Sequence, residues 1–118
     1  MLKKQLRLKK KSAFTATYKI RNSFYKNGVI LFVGIKKKKE QSTKVGFVVS
    51  KKTQKSAVKR NRLKRLMRES YRLLLKENNV GKTNEYMSLI FVGLKEALGR
   101  SFFEMQQTVK SLLEKTNV

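Results

Sequence analysis

The chain has 118 residues, a length that suits one domain with its own hydrophobic core. Thirty Lys and Arg oppose seven Asp and Glu, which gives a formal net charge of +23. Because such a surface repels itself unless a polyanion neutralises it, nucleic acid is the leading candidate partner and an anionic membrane the next. The sequence has no Cys and no His, which excludes disulfides, thiol nucleophiles, the usual zinc ligands and the commonest general base.

The seven carboxylates are scattered along the chain, which argues against a nuclease site built from clustered acids. No uninterrupted apolar stretch approaches about 18 residues, so we expect no membrane-spanning helix. The basic N-terminal segment, residues 1–11, lacks the apolar core of a secretory signal. We therefore expect a cytoplasmic protein whose N-terminal segment is either a disordered, solvated tail or an arm that orders on RNA.

The first third of the chain predicts a helix followed by a β-hairpin. Ser12 is a candidate N-cap for a helix over residues 12–20. Asn27 and Gly28 stand between two apolar runs and both tolerate a positive φ, which is the strongest short signal for a two-residue hairpin turn. The two strands of this hairpin are expected at 22–25 and 29–35.

The rest of the chain alternates between strand and helix patterns. In order, it predicts a basic loop at 36–43, a strand at 45–50, a helix at 56–76 ended by Asn78, Asn79 and Gly81, a loop at 82–86 and a strand at 87–92 that is buried on both faces. Ser101 and Glu104 fit a capping box that begins a final amphipathic helix. The predicted order is α-β-β-β-α-β-α, an α+β fold with helices packed on one mostly antiparallel sheet.

The segment from residue 59 to residue 72 concentrates positive charge, since half of its positions are Arg or Lys and Glu69 is its only acid. A helix turns about 100° per residue, which places Leu63, Leu66, Met67 and Leu74 on one side. Asn61, Arg65, Arg68 and Arg72 fall on the other side, with Arg62 and Lys64 on the flanks. This one-sign face predicts phosphate binding; a solvated face and a basic helix docked on a membrane remain alternatives.

Aromatic residues supply a second candidate feature. Phe14 and Tyr18 share one face of the predicted first helix, and Phe32 lies on a predicted strand. Such rings are suited to stacking with unpaired bases, although side chains at this spacing also serve as ordinary core packing. The residues alone leave both interpretations open.

A longer pattern carries a family resemblance. Ser50-Lys51-Lys52, then Ala57, then Arg60-Asn61-Arg62-Leu63-Lys64-Arg65-Leu66-Met67-Arg68 resembles the signature region of the bacterial ribonuclease P protein subunit. Upstream, Arg7-Leu8 followed by Phe14 and Tyr18 is also similar to the N-terminal pattern of that family. Together with the element order, the resemblance covers nearly the whole chain.

The resemblance implies an α/β sandwich with an unusual left-handed βαβ crossover. It implies the small subunit of an RNA-based endoribonuclease that removes the 5′ leader of precursor tRNA, with catalysis by the RNA subunit and Mg²⁺. The implied partners are ribonuclease P RNA and precursor tRNA, with no membrane and no DNA. A general structured-RNA-binding protein, such as a ribosomal or RNA-assembly protein, is the alternative.

The resemblance also assigns residues by position. The residues implied to bind the RNA subunit are Arg60, Asn61, Arg62, Lys64, Arg65, Arg68 and Arg72. Those implied to bind the leader are Phe14, Tyr18, Phe32, Lys51 and Lys52. No catalytic residue is expected. Many members have acidic residues in the loop where this chain has four lysines, at 36–39, so we expect no metal site in the protein and expect Mg²⁺ to be bound mainly by the RNA subunit and the substrate.

Overall fold

The computed structural model describes residues 2–38, 41–77, 79–80 and 85–116. Its helices and strands follow the predicted order α-β-β-β-α-β-α. Their bounds are α1 Lys11–Lys19, β1 Asn22–Lys26, β2 Val29–Val33, β3 Lys44–Val48, α2 Ala57–Lys76, β4 Ser88–Gly93 and α3 Phe102–Lys115. Two of the predicted stop signals for α2, Asn78 and Gly81, and parts of the two predicted loops (39–40 and 82–84) lie outside the described residues.

The four strands form one mixed sheet in the order β1-β2-β4-β3. β1 pairs with β2 and β2 with β4 in antiparallel fashion, whereas β3 runs parallel to β4. The α+β fold with a mostly antiparallel sheet is therefore confirmed. Helix α2 connects the two neighbouring parallel strands, and the left-handed sense of that crossover stays a prediction.

The hairpin turn forms where the sequence predicts it. Asn27 and Gly28 have φ angles of 47° and 87°, the two positive values that a type I′ turn requires. The predicted length of the second strand is wrong, because β2 ends at Val33 rather than at residue 35. Its pairing becomes irregular at Gly34, where the Ser88 side chain occupies the space that a Cβ atom would need.

The predicted N-cap of the first helix is also wrong. Helix α1 begins at Lys11, and its N-cap residue is Lys10, which makes no side-chain capping bond. The carbonyl oxygen of Lys10 accepts hydrogen bonds from the amides of Ala13 and Phe14, so the first turn begins before Ser12 and includes it. By contrast, the capping box of Ser101 and Glu104 at the start of α3 is confirmed.

The helices cover both faces of the sheet. α2 and α3 pack together on one face, where the side chains of β2, β4 and both helices form the main hydrophobic core. The aromatic centre of this core contains Tyr71, whose ring contacts those of Phe47 and Phe91. α1 lies on the opposite face, against β2 and β4.

The N-terminal segment follows the outer edge of β3. Leu2 is buried in the main core, and Leu8 is buried as well. The amide of Leu8 donates to the carbonyl oxygen of Val45 at 2.9 Å, and Arg7 forms a parallel bridge with Val45. β3 is an edge strand of the sheet, and these contacts give part of its outer edge a hydrogen-bonding partner.

Candidate nucleic-acid interface

Helix α2 is amphipathic in the way that its sequence predicts. Leu63, Met67 and Leu74 are buried against the sheet and α3, and Leu66 is partly buried beside them. Tyr71 is buried on the same side, with only 1% of its surface exposed, and burial raises its pKa above the usual range. Sequence reasoning missed Tyr71, although it follows Met67 by four residues.

The opposite side of α2 carries the predicted charge. We call the predicted RNA-binding residues Arg60, Asn61, Arg62, Lys64, Arg65, Arg68 and Arg72 the basic face of α2. Arg60, seven residues before Met67, is the exception in position, because it lies at the helical angle of the buried side. Three of these seven residues are exposed and the other four are partly exposed. Within the described part of the chain, no hydrogen bond or ion pair involves the side chains of Asn61, Arg62, Lys64, Arg65 or Arg68. These five side chains are free to meet a ligand.

Arg72 differs from the rest of the basic face because it has an acidic partner. Its Nε donates to Oε2 of Glu69 at 2.8 Å, and both side chains are about one-third exposed. This hydrogen bond holds the pKa of the Glu69 carboxyl below its usual range. Glu69 therefore offsets the charge at the C-terminal end of the basic face and leaves the N-terminal part unopposed.

Arg60 is also engaged within the protein. Its Nη1 donates to the carbonyl oxygens of Gln54 and Lys55, at 2.9 and 2.8 Å. The Ser56 side chain caps the same helix end by accepting from the amide of Lys59. Arg60 thus fixes the turn that enters α2, a structural role that its place in the basic run did not indicate.

The three predicted aromatic residues lie where α1 meets the sheet. Phe14 and Tyr18 belong to the helix, and Phe32 belongs to β2. The rings of Tyr18 and Phe32 meet edge to face, with their centroids 4.8 Å apart. The Phe14 ring lies over Gly46, where a Cβ atom would collide with it. All three rings are partly exposed, and burial raises the pKa of Tyr18. We call Phe14, Tyr18 and Phe32 the aromatic cleft.

The sheet continues beyond the aromatic cleft as an uncovered apolar row. Tyr25 on β1 pairs with Ile30 on β2, Ile30 pairs with Val92 on β4, and Val92 pairs with Val48 on β3. Tyr25 is 54% exposed and the other three are partly exposed. Sequence reasoning did not find this row, because its members come from four strands whose order was unknown.

Lys51 and Lys52 lie close in the chain to the end of this row. They occupy a tight turn after β3, in which the amide of Thr53 donates to the carbonyl oxygen of Ser50 at 3.1 Å. Both lysines are exposed. Because Val48 ends β3 only a few residues earlier, the turn brings positive charge near the β3 end of the apolar row.

A separate groove of about 710 Å³ lies on the other side of α1. Ala13, Ala16 and Ile20 of the helix line it, together with Ile35 and Met87 from the sheet side. None of the three aromatic-cleft residues lines this groove. The predicted aromatic residues and this groove therefore lie on different sides of the helix.

Two other kinds of feature are absent from the described residues. No helix in this part of the chain is long and apolar enough to cross a membrane. The same residues contain no group of three or more His, Cys, Asp or Glu side chains that is arranged to hold a metal ion. The protein side chains that the structure brings together are cationic and aromatic.

Comparison with known proteins identifies the family. The family model for ribonuclease P matches residues 2–117. The ribonuclease P protein component of Clostridium kluyveri is 38% identical over 112 residues, which cover 95% of each chain. That of Alkaliphilus oremlandii is 36% identical over 112 residues, which cover 95% of this chain and 91% of the relative.

Solved structures show the same fold. The RNase P protein of Staphylococcus aureus aligns with a TM-score of 0.77 at 23% identity, over 96% of each chain. The RNase P protein of Thermotoga maritima aligns with a TM-score of 0.74 at 21% identity, over 92% of this chain and 96% of that one. The resemblance carried by residues 50–68 is confirmed, and the chain belongs to the ribonuclease P protein component family.

Proposed function

We propose that this protein subunit of ribonuclease P binds the catalytic RNA through the basic face of α2 and the 5′ leader of precursor tRNA in the aromatic cleft. In this role it assists the Mg²⁺-dependent endonucleolytic cut that gives the mature tRNA 5′ end, in the cytoplasm. The observation that carries the proposal is the set of unpaired cations along one side of a helix whose other side is buried.

The charges of the basic face repel one another in the free protein. Lys64 and Arg68 are four residues apart on α2, as are Arg68 and Arg72, and like charges at this spacing destabilise a helix. Phosphates of a bound RNA would remove this repulsion. Arg suits the task because its planar guanidinium donates two parallel hydrogen bonds to one phosphate. The arrangement therefore favours a polyanion over solvent alone.

The leader would be held by stacking and charge together. The aromatic cleft and the apolar row offer partly exposed rings and aliphatic side chains on one face of the sheet. Unpaired bases stack on such rings with about 1–3 kcal/mol per base. Lys51 and Lys52, near the β3 end of the row, would neutralise backbone phosphates. Such rings would bind a single strand rather than a duplex, because the bases of a duplex are already stacked on one another.

Magnesium enters the proposal through the RNA. Bound by RNA phosphates and substrate, Mg²⁺ would supply an activated water and charge stabilisation at the scissile phosphate. The described side chains form no acidic cluster for such an ion, so we assign them no metal ligand. The contribution of this chain is to neutralise neighbouring phosphates and to hold the leader in place.

The test is cleavage of precursor tRNA at low Mg²⁺ by the protein alone, by ribonuclease P RNA alone and by both together. The proposal predicts a product with the mature 5′ end, at full rate only when both are present. Cleavage by the pure protein would place the catalytic site in the protein and contradict the proposal. Absence of stimulation of an otherwise active cognate RNA would favour a general structured-RNA-binding protein instead.

A further inference from the structure

A second concentration of positive charge lies between α2 and the loop that precedes α3. A pocket of about 350 Å³ is lined there by Lys59 and Arg62 of α2, by Arg100 of the loop and by the amide side chain of Gln54. We call these four residues the Arg100 pocket. Its lining contains three cations and no acid. An arrangement of three cations around one small concavity is unfavourable unless an anion occupies it.

The hydrogen-bonding capacity of Arg100 is only partly used. Its Nη1 donates to Oε2 of Glu104 at 3.3 Å, a long contact between side chains that are 37% and 52% exposed. Its Nε is buried and has no hydrogen-bond partner in the described part of the chain. Glu104 also accepts from the amide of Ser101, as part of the capping box of α3. Arg100 therefore retains donors that its acidic neighbour does not satisfy.

The surroundings of the pocket suit a phosphate group. Gly99 has a φ of 81°, and beyond its two chain neighbours no atom of the described residues lies within 4 Å of the position that its Cβ would take, so the rim of the pocket is open there. Lys59 lies in the first turn of α2, where the helix dipole adds partial positive charge. Leucine side chains at positions 63, 66 and 98 complete the lining, and their apolar surface reduces the competition from water.

We propose that the Arg100 pocket binds a phosphate group of RNA. This inference rests on the proposed function, and it extends the RNA-binding surface from α2 onto the loop before α3. Arg100 was absent from the residues that the family resemblance assigned, because it stands alone between Gly99 and Ser101 with no basic pattern around it. Only the packing of this loop against α2 brings it beside Lys59 and Arg62.

Inorganic phosphate is the first probe, measured by titration calorimetry against chloride at the same ionic strength. We expect saturable phosphate binding by the wild-type protein. Arg100→Gln should weaken it at least about fivefold, because a charge-assisted donor is lost. Lys110→Gln is the matched control, since it removes one positive charge on α3 outside the pocket lining, and it should change the affinity less than about twofold.

Glu104→Gln tests the same pocket in the opposite direction. Glutamine also serves in a capping box, so the start of α3 is preserved while the carboxylate that competes for Arg100 is removed. Phosphate binding should tighten about two- to fivefold. Equal phosphate affinity in wild type, Arg100→Gln and Glu104→Gln would overturn the pocket, and circular dichroism of each variant checks that the fold is intact.

The RNA measurement separates this inference from the proposed function. With ribonuclease P RNA, Arg100→Gln should reduce the slope of log affinity against log salt concentration by about one unit relative to Lys110→Gln. An unchanged slope, with normal RNA binding by the wild type, overturns the inference alone. Failure of the wild type to bind this RNA overturns the proposed function; loss of phosphate binding in Arg100→Gln would then still support the anion pocket.

Discussion

The hydroxyl groups of Thr17 and Ser88 lie 2.6 Å apart in a buried hydrogen bond that joins α1 to the central strand β4. Thr17 also donates to the carbonyl oxygen of Ala13, so Ser88 supplies the proton between the two side chains. This link holds α1 on its face of the sheet at the level of Tyr18. The position of the aromatic cleft thus depends on a polar contact within the protein.

Replacing Ser88 with Ala should therefore destabilise the protein by about 0.5–1.5 kcal/mol, the usual net value of one hydrogen bond. Thr17 keeps its bond to Ala13, so no donor is left unsatisfied. Urea unfolding followed by circular dichroism measures the change, with Ser23→Ala on exposed β1 as the control. An unfolding free energy equal to that of the control would show that the hydroxyl pair contributes nothing.

Arg65→Ala should weaken the binding of ribonuclease P RNA roughly three- to tenfold and leave the fold intact. The Arg65 side chain is exposed and makes no contact that supports the core. Filter binding over a range of salt concentrations measures the affinity, and thermal unfolding measures the stability. If the variant unfolded at a much lower temperature, the assignment of Arg65 to the outer face would be wrong.

Glu69→Gln should increase RNA affinity, roughly two- to fivefold, because it frees Arg72 and removes a carboxylate from the basic face. Lys110→Gln, which changes the net charge by one unit on α3, controls for total charge in the opposite direction. RNA binding at constant ionic strength measures both. An affinity equal to wild type would show that Arg72 takes no part in RNA binding.

The same pair predicts a pH dependence of stability. The hydrogen bond from Arg72 holds the pKa of Glu69 in the folded protein below its ordinary value of 4.5. A carboxyl with a lowered folded pKa stabilises the fold above its unfolded pKa and loses that contribution as the pH falls through the folded pKa. The stability advantage of wild type over Glu69→Gln should thus be constant above pH 4.5 and shrink below it. Urea unfolding across the acidic range checks this, and a constant difference contradicts the pairing.

Tyr18→Ala should reduce the preference for precursor over mature tRNA by at least about fivefold, since one stacked base contributes about 1–3 kcal/mol. Tyr18→Phe keeps the ring and its edge-to-face contact with Phe32, so it should retain most of the preference. Binding of both tRNAs to the reconstituted holoenzyme measures the ratio. If Tyr18→Ala weakened both substrates equally, the residue would lie outside the leader path.

Much of this protein follows from patterns within short windows of sequence. The positive φ angles of Asn27 and Gly28, the capping box at Ser101 and the two-sided character of α2 each depend on residues only a few positions apart. The basic face was predictable for the same reason, because a helix repeats every 3.6 residues. The family pattern in residues 50–68 lies within one such stretch.

The tertiary structure decided which residues that are distant in the chain come into contact. The apolar row requires the strand order β1-β2-β4-β3, and the burial of Tyr71 requires Phe47 and Phe91 from two strands. The place of Arg100 beside α2 likewise depends on how the loop before α3 packs. The sequence alone determined that this chain presents a basic helix, and local contacts pair Arg60 and Arg72 within it. Only long-range packing decided that Arg100 lies beside that helix, because the two are far apart in the chain.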